Sequence, residues 1–309
     1  MNIYLPIAEM SVNIPLIMLL GLFTGILAGL FGIGGGFIAT PLLMFIGIPP
    51  AIAVSTSANQ IISSSVSGVL AHLKKGNVDI KMGGFLVLGG FIGSTIGVSI
   101  FTILQQKGKL DLVISILYIL VLGSISIIML IDNFKSICEK KYNLTFGKKS
   151  NLRFKKFLIK IEKLPLKIYF PKSQISASII ILLILSSGIG IMVILMGVGG
   201  GFMMIPAMIY ILRMPPHLVI GTSLFQIIFI AVNATFLQAA TNNTIDIVLS
   251  ILMISSSAVG AQIGARIGYK VDADKLRSGL ALIIFLVCLK IFFTLLISPE
   301  KLFIIENLH

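Results

Sequence analysis

The chemistry this sequence can offer rests on backbone groups and neutral side chains. Gly34, Gly35 and Gly36 form one glycine run, and Gly199, Gly200 and Gly201 form a second, each between two apolar segments. Glycine costs about 1 kcal/mol relative to alanine inside a helix, so three in succession predict a break. At membrane depth, broken backbone is tolerated where it lines a cavity or is buried in protein. The N–H groups that open the following helix, reinforced by the helix dipole, would attract an anion. Downstream, Pro50 and Pro216 suit the first turn of a helix. Thr56, Ser57 and Gln60 follow the first proline, and Thr222, Ser223 and Gln226 follow the second. Thr56, Gln60 and Ser63 or Ser64 share one helical face, and Asn233 extends the matching stripe. Hydroxyls and amides hold an anion without a fixed charge, which permits release. Two plainer roles compete: close helix packing through the glycines, and interhelical hydrogen bonds from the polar stripe. A dinucleotide fingerprint does not fit, because no strand precedes the glycines and no Lys-Ser/Thr follows them.

Ionisable groups stay away from these segments. Glu9, Asp79, Asp111, Asp132, Asp246, Asp272 and Asp274 fall at segment ends or outside them, so no buried carboxylate is expected as a proton relay or cation ligand. Lys290 lies inside the last segment and is expected to snorkel to the interface. His72, His217 and His309 are scattered, as are Cys138 and Cys288, which leaves no metal-ligand or catalytic cluster. No metal, no cofactor and no enzymatic activity are expected.

The elements that would position the glycines and the polar stripes are membrane helices. The chain of 309 residues is 57% hydrophobic and 11% charged, with mean hydropathy +1.07. A soluble domain is about half apolar and about a quarter charged, so the implied solvent is a bilayer. Five hydrophobic segments, at about 14–31, 36–48, 51–72, 82–104 and 111–131, precede a basic loop, and five follow, at about 175–196, 201–214, 217–240, 246–268 and 276–297. The second segment of each five falls short of the roughly 20 residues a span needs, which suits half of a broken helix or a short tilted span.

The two halves repeat. Gly32-Ile33-Gly34-Gly35-Gly36-Phe37 matches Gly197-Val198-Gly199-Gly200-Gly201-Phe202. Pro41 matches Pro206, Pro49-Pro50 matches Pro215-Pro216, and Gly93 and Gly97 match Gly260 and Gly264. The expected organisation is a first transmembrane repeat at 1–131, a basic cytoplasmic linker at 132–173 and a second transmembrane repeat at 174–309. Between Asp132 and Ser173 the linker carries twelve Lys and Arg against Glu139 and Glu162. Such a loop is retained in the cytoplasm. With it inside, Lys74, Lys75, Lys81, Arg213, Arg266, Lys270, Lys275 and Arg277 are also inside, and only Lys107 and Lys109 are misplaced. That count fits an odd number of crossings per half better than an even one, and so inverted repeats are expected. The fold class expected is an all-α polytopic membrane protein of two inverted five-segment repeats, with eight to ten transmembrane helices broken at the glycine runs.

The run Gly32-Ile33-Gly34-Gly35-Gly36-Phe37-Ile38-Ala39-Thr40-Pro41, the pair Pro49-Pro50 and Ser55-Thr56-Ser57-Ala58-Asn59-Gln60, repeated after the central loop, resemble the sulfite exporter TauE/SafE family. The resemblance spans nearly all of the chain outside the basic loop. It implies a multi-pass plasma (inner) membrane permease for a small sulfur-containing or organic anion such as sulfite or a sulfonate. The expected partners are that anion, the lipid bilayer and a coupling ion, proton or sodium, with no nucleic acid. An anion channel built on the same elements is the alternative, and a membrane enzyme or scaffold a third.

Overall fold

The computed structural model describes residues 2–31, 33–142, 165–268 and 273–296. Ten helices lie among them: α1 (Ile14–Phe31), α2 (Gly36–Phe45), α3 (Pro50–Lys74), α4 (Ile80–Gln106), α5 (Leu110–Tyr142), α6 (Ile179–Met196), α7 (Gly201–Tyr210), α8 (Pro216–Thr241), α9 (Ile247–Gly268) and α10 (Ala273–Leu296). Each expected segment corresponds to one helix, but α5 continues past 131 to Tyr142, into the expected linker, and α2 and α7 end short of 48 and 214. Six of them, α1, α4, α5, α6, α8 and α9, are long and apolar enough to cross a membrane. α3 has the length but not the hydropathy, because its polar stripe lowers it. The breaks fall at the glycines, where α1 ends at Phe31 and α6 at Met196. α2 and α7 have ten residues each, about 15 Å of helix.

Two antiparallel hairpins add to the all-helical expectation. β1 (Asn2–Leu5) pairs with β2 (Met10–Asn13), and β3 (Lys167–Phe170) pairs with β4 (Ile175–Ser178). They are copies of one unit. Leu5 and Phe170 are fully buried, Tyr4 and Tyr169 are exposed, and each turn carries a left-handed residue, Glu9 at φ 52° and Gln174 at φ 53°. The second hairpin straddles the boundary set between linker and repeat at 173/174. Residues 143–164 of the expected linker lie outside the described residues, as do Gly32, Lys270 and the segment 297–309.

The halves interleave. α1 packs on α9 and α4 on α6, so the first helix of each half pairs with the fourth of the other. Glycine lets these backbones touch. A Cβ at Gly25 would stand 2.4 Å from Ser257 O, and one at Gly93 would stand 2.0 Å from Ser187 O. The small-residue packing role is therefore realised at the repeated Gly93, Gly97, Gly260 and Gly264, each set against backbone or side chain of the opposite half. Successive contacts give helix direction. Gly21, Gly25 and Gly29 meet Ser256, Ser257 and Ala261, so α1 and α9 run parallel. At the centre Asn59 meets Thr235 and Gly68 meets Leu224, so the repeat-equivalent helices α3 and α8 run antiparallel.

Candidate functional site

The two glycine breaks touch. A Cβ on Gly34 would sit 3.8 Å from Gly199 Cα, and one on Gly36 would sit 2.5 Å from Gly197 O. Phe37 and Phe202, the second residues of α2 and α7, stack with centroids 5.3 Å apart and planes 5° from parallel. The breaks differ in backbone conformation. Gly34 and Gly35 are left-handed at φ 85° and 73°, whereas Gly200 is right-handed at φ −51° and the left-handed residue of the second break is Gly197. The starts of α2 and α7 leave backbone N–H groups ahead of the first intrahelical bonds.

Helices α3 and α8 cover this junction. Ile61 overlies Gly34, Gly36 and Gly199, and Ile227 overlies Gly200 and Gly201. Ser64 Oγ donates to Gly34 O at 3.0 Å. Ser65 Oγ lies 3.4 Å from the point where a Gly34 Cβ would stand, and Thr40 Oγ1 lies 2.8 Å from the corresponding point at Gly197. Both hydroxyls are fully buried; Ser65 Oγ has no hydrogen-bond partner, and Thr40 Oγ1 faces the Tyr118 hydroxyl. The sequence reading missed these two as site groups. A signal was available for Thr40, since it lies in the glycine-run motif itself.

The expected polar pairs divide by what they bond. Ser57 Oγ donates to Ala53 O at 2.7 Å and Ser223 Oγ to Ile220 O at 2.9 Å, so both hydroxyls are spent on their own helices. Gln60 Nε2 donates to Thr24 Oγ1 on α1, and Gln226 Nε2 donates to Ser186 Oγ on α6 at 2.6 Å. Both glutamines are fully buried, and Oε1 of each has no partner. Gln60 neighbours the first break through Thr24, whose carbonyl lies 2.9 Å from the point where a Gly35 Cβ would stand. Thr222 Oγ1 accepts the N–H of Asp79 at 3.0 Å, while Thr56 Oγ1 has no partner. Asn59 donates to Ser250 and accepts from Thr235, and Asn233 donates to Ser94 at 2.6 Å. These asparagines tie helices together, as the plainer reading of the stripe holds.

One expectation is corrected here. Asp79 and Asp246 stand at segment ends, yet both are buried. Asp79 caps α4 by accepting Met82 N–H at 3.0 Å, and Asp246 caps α9 by accepting Leu249 N–H at 3.1 Å. The second oxygen of each carboxylate holds the other half's hairpin. Ser173 Oγ donates to Asp79 at 2.5 Å, and Ile7 N–H donates to Asp246 at 3.0 Å. Position along the chain placed these residues at loops. The hairpins, which carry weak sequence signals, fold over the loops and bury them. Lys290 stays on the exposed face, with Nζ 4.0 Å from the centroid of the Phe45 ring, a cation–π contact.

Comparison with known proteins finds related membrane proteins. The family model described as Sulfite exporter TauE/SafE matches residues 17–291. The "Probable membrane transporter protein YjnA" of Bacillus subtilis (strain 168) is 26% identical over 285 residues, covering 91% of this chain and 100% of that relative. The "Probable membrane transporter protein YunE" of the same organism is 24% identical over 280 residues, covering 88% and 94%. The "Sulfite exporter TauE/SafE family protein 1" of Arabidopsis thaliana is 29% identical over 96 residues, covering 31% of this chain and 21% of that relative. No solved structure gives a significant match. With six apolar spans and a family match across most of its length, this multi-pass membrane protein belongs to the sulfite exporter TauE/SafE family.

Proposed function

We propose that the protein is a permease that moves a small anion, sulfur-containing or organic, across the plasma (inner) membrane by alternating access. The observation that carries the reading is the contact between the two glycine breaks, Gly34 against Gly199. It brings together two helix starts from opposite halves, each with dipole and N–H groups suited to an anion. Ser65 and Thr56 add unpartnered buried hydroxyls to the surroundings. Gly34, Gly35, Gly36, Gly199, Gly200 and Gly201 form the substrate path, with Thr56, Gln60, Thr222 and Gln226 beside it and Ser57 and Ser223 shaping the local helix. The antiparallel run of α3 and α8 supports inverted repeats, in which two halves exchange conformations to open the site to either side. The names of the relatives support transport, and the family description supports sulfite or a sulfonate as cargo. Uptake of labelled sulfite and sulfonates into proteoliposomes tests this reading. Time-dependent uptake that requires the protein is the expected result, and the absence of uptake for every small anion tried would refute it.

A further inference from the structure

The two hairpins are built alike and charged unlike. β1–β2 leads into α1 and is tied to the start of α9 by Ile7 and Asp246, and β3–β4 leads into α6 and is tied to the start of α4 by Ser173 and Asp79. Helix directions put the hairpins at opposite ends of the bundle. α3 runs with α9, since Asn59 meets Ser250 and Ser63 meets Ile254 O. α8 runs with α4, since Phe225 meets Gly83 and Ile230 meets Gly90. With α3 and α8 antiparallel, α9 and α4 start at opposite ends. The apolar parts are the same at both. Tyr4 and Tyr169 are each 57% exposed, and Ile247 and Ile80, the first residues of α9 and α4, are exposed too. The charges are not the same. Lys167, Lys172 and Lys81 are exposed at the β3–β4 end, and their counterparts at the β1–β2 end are Asn2, Ile7 and Val248.

The β1–β2 copy folds without these lysines, so the hairpin itself does not require them. Lys81 Nζ donates to Tyr169 O at 3.4 Å, which sets its charge on the strand that carries Lys167. Starts of membrane-crossing helices lie at headgroup depth, where an exposed tyrosine is favoured. Lysine beside such apolar side chains keeps its stem on them and its ammonium among the phosphates. We propose that the β3–β4 hairpin, together with Lys81, is a docking surface for anionic phospholipid headgroups, and that β1–β2 is not. Charge complementarity commits the occupant: a cationic face at the membrane surface, on the side of the basic linker, meets the leaflet whose anionic lipids attract lysine. Retention of the linker in the cytoplasm needs only the sign of the charge. A docking surface also needs the lipid to be gathered at this face, which can be measured.

The sequence contains no tryptophan, so Tyr169→Trp and Tyr4→Trp each place a single fluorophore at one of two matching positions. Each full-length protein is reconstituted in phosphatidylcholine vesicles carrying an increasing fraction of brominated phosphatidylglycerol or of brominated phosphatidylcholine, and quenching is followed. The Tyr169→Trp protein should be half-quenched at an about fivefold lower fraction of the phosphatidylglycerol, the equivalent of one surface lysine. High salt should narrow that difference. Lys167→Gln with Lys172→Gln in the same protein should narrow it as well. The Tyr4→Trp protein should show no preference. Equal quenching of Tyr169→Trp by the two lipids, an equal preference in both tryptophan proteins, a preference indifferent to salt and to the lysine substitutions, or no quenching by either lipid overturns the docking surface. The salt series stands if the lysine variant fails to fold, and Leu166→Trp, at a position 65% exposed, replaces the first probe if Tyr169→Trp does. Transport is not read, so every outcome leaves the permease reading where it was.

Discussion

Thr222 Oγ1 accepts the backbone N–H of Asp79 at 3.0 Å, and the hydroxyl of its repeat-equivalent, Thr56, has no partner. Asp79 and Asp246 are themselves equivalent, so the same latch exists twice and is closed once. The neighbouring contact differs as well. Gly221 lies against Asn77 O, whereas its equivalent Ser55 bonds Thr244 Oγ1 at 2.7 Å. In an inverted-repeat carrier, the opposite end state would close the Thr56 latch on Asp246 and open that of Thr222. Thr222→Val should therefore destabilise the present state by about 1–3 kcal/mol, the cost of a stranded buried N–H. Thr56→Val loses nothing in this state and should leave thermal stability unchanged while slowing uptake. Equal loss of stability in both variants would contradict the latch.

The carboxylate clamps give a second prediction. Asp79→Ala removes a helix cap and the anchor of the second hairpin, so it should lower stability by more than the roughly 1 kcal/mol of a cap alone. Asp79→Asn keeps an acceptor for Met82 N–H and should cost less. Thermal unfolding in detergent orders the two, and limited proteolysis at the 165–178 hairpin reads whether it has come loose. An Asp79→Ala protein as stable as wild type would contradict the clamp.

How these features sit in the sequence explains which of them could be read there. The ten helices were legible because apolar runs of membrane length carry their own signal, and the breaks because glycine is costly in a helix. The contact of Gly34 with Gly199 follows from repetition plus charge placement, both readable along the chain. The hairpins were not legible. Four-residue strands have little periodicity, and their stability comes from burying Leu5 and Phe170 in clusters drawn from both halves. Burial of Asp79 and Asp246 is a tertiary consequence of those hairpins. Composition likewise cannot tell whether Ser57 bonds its own helix or whether Gln60 keeps an oxygen bare, since both depend on which side chain stands opposite.

At the junction, two glycines should respond differently to alanine. A Cβ at Gly36 would stand 2.5 Å from the carbonyl of Gly197, and backbone cannot yield cheaply. Gly36→Ala should cost about 1–3 kcal/mol and abolish uptake. At Gly199 the nearest atom is Ile33 O at 3.0 Å, a milder crowding. Gly199→Ala should remain folded in the membrane but with reduced uptake. Unchanged transport in both, at equal membrane amounts, would remove the glycine junction from the mechanism.

Tyr118 braces the end of α6. Its fully buried hydroxyl donates to Met196 O, immediately before the second break. Tyr118→Phe deletes that bond at nearly constant volume and should cost about 0.5–1.5 kcal/mol, measured by thermal unfolding. A change below this range would show that the brace contributes nothing.

On this reading the glycine junction serves a carrier that binds its anion and changes state. Counterflow tests it most directly. Proteoliposomes loaded with unlabelled sulfite are diluted into labelled sulfite, and the transient accumulation of label is followed. A carrier gives an overshoot that saturates with sulfite concentration and is lost in Gly36→Ala. Flux that rises without saturation and shows no overshoot would contradict a carrier and favour an open channel through the same elements.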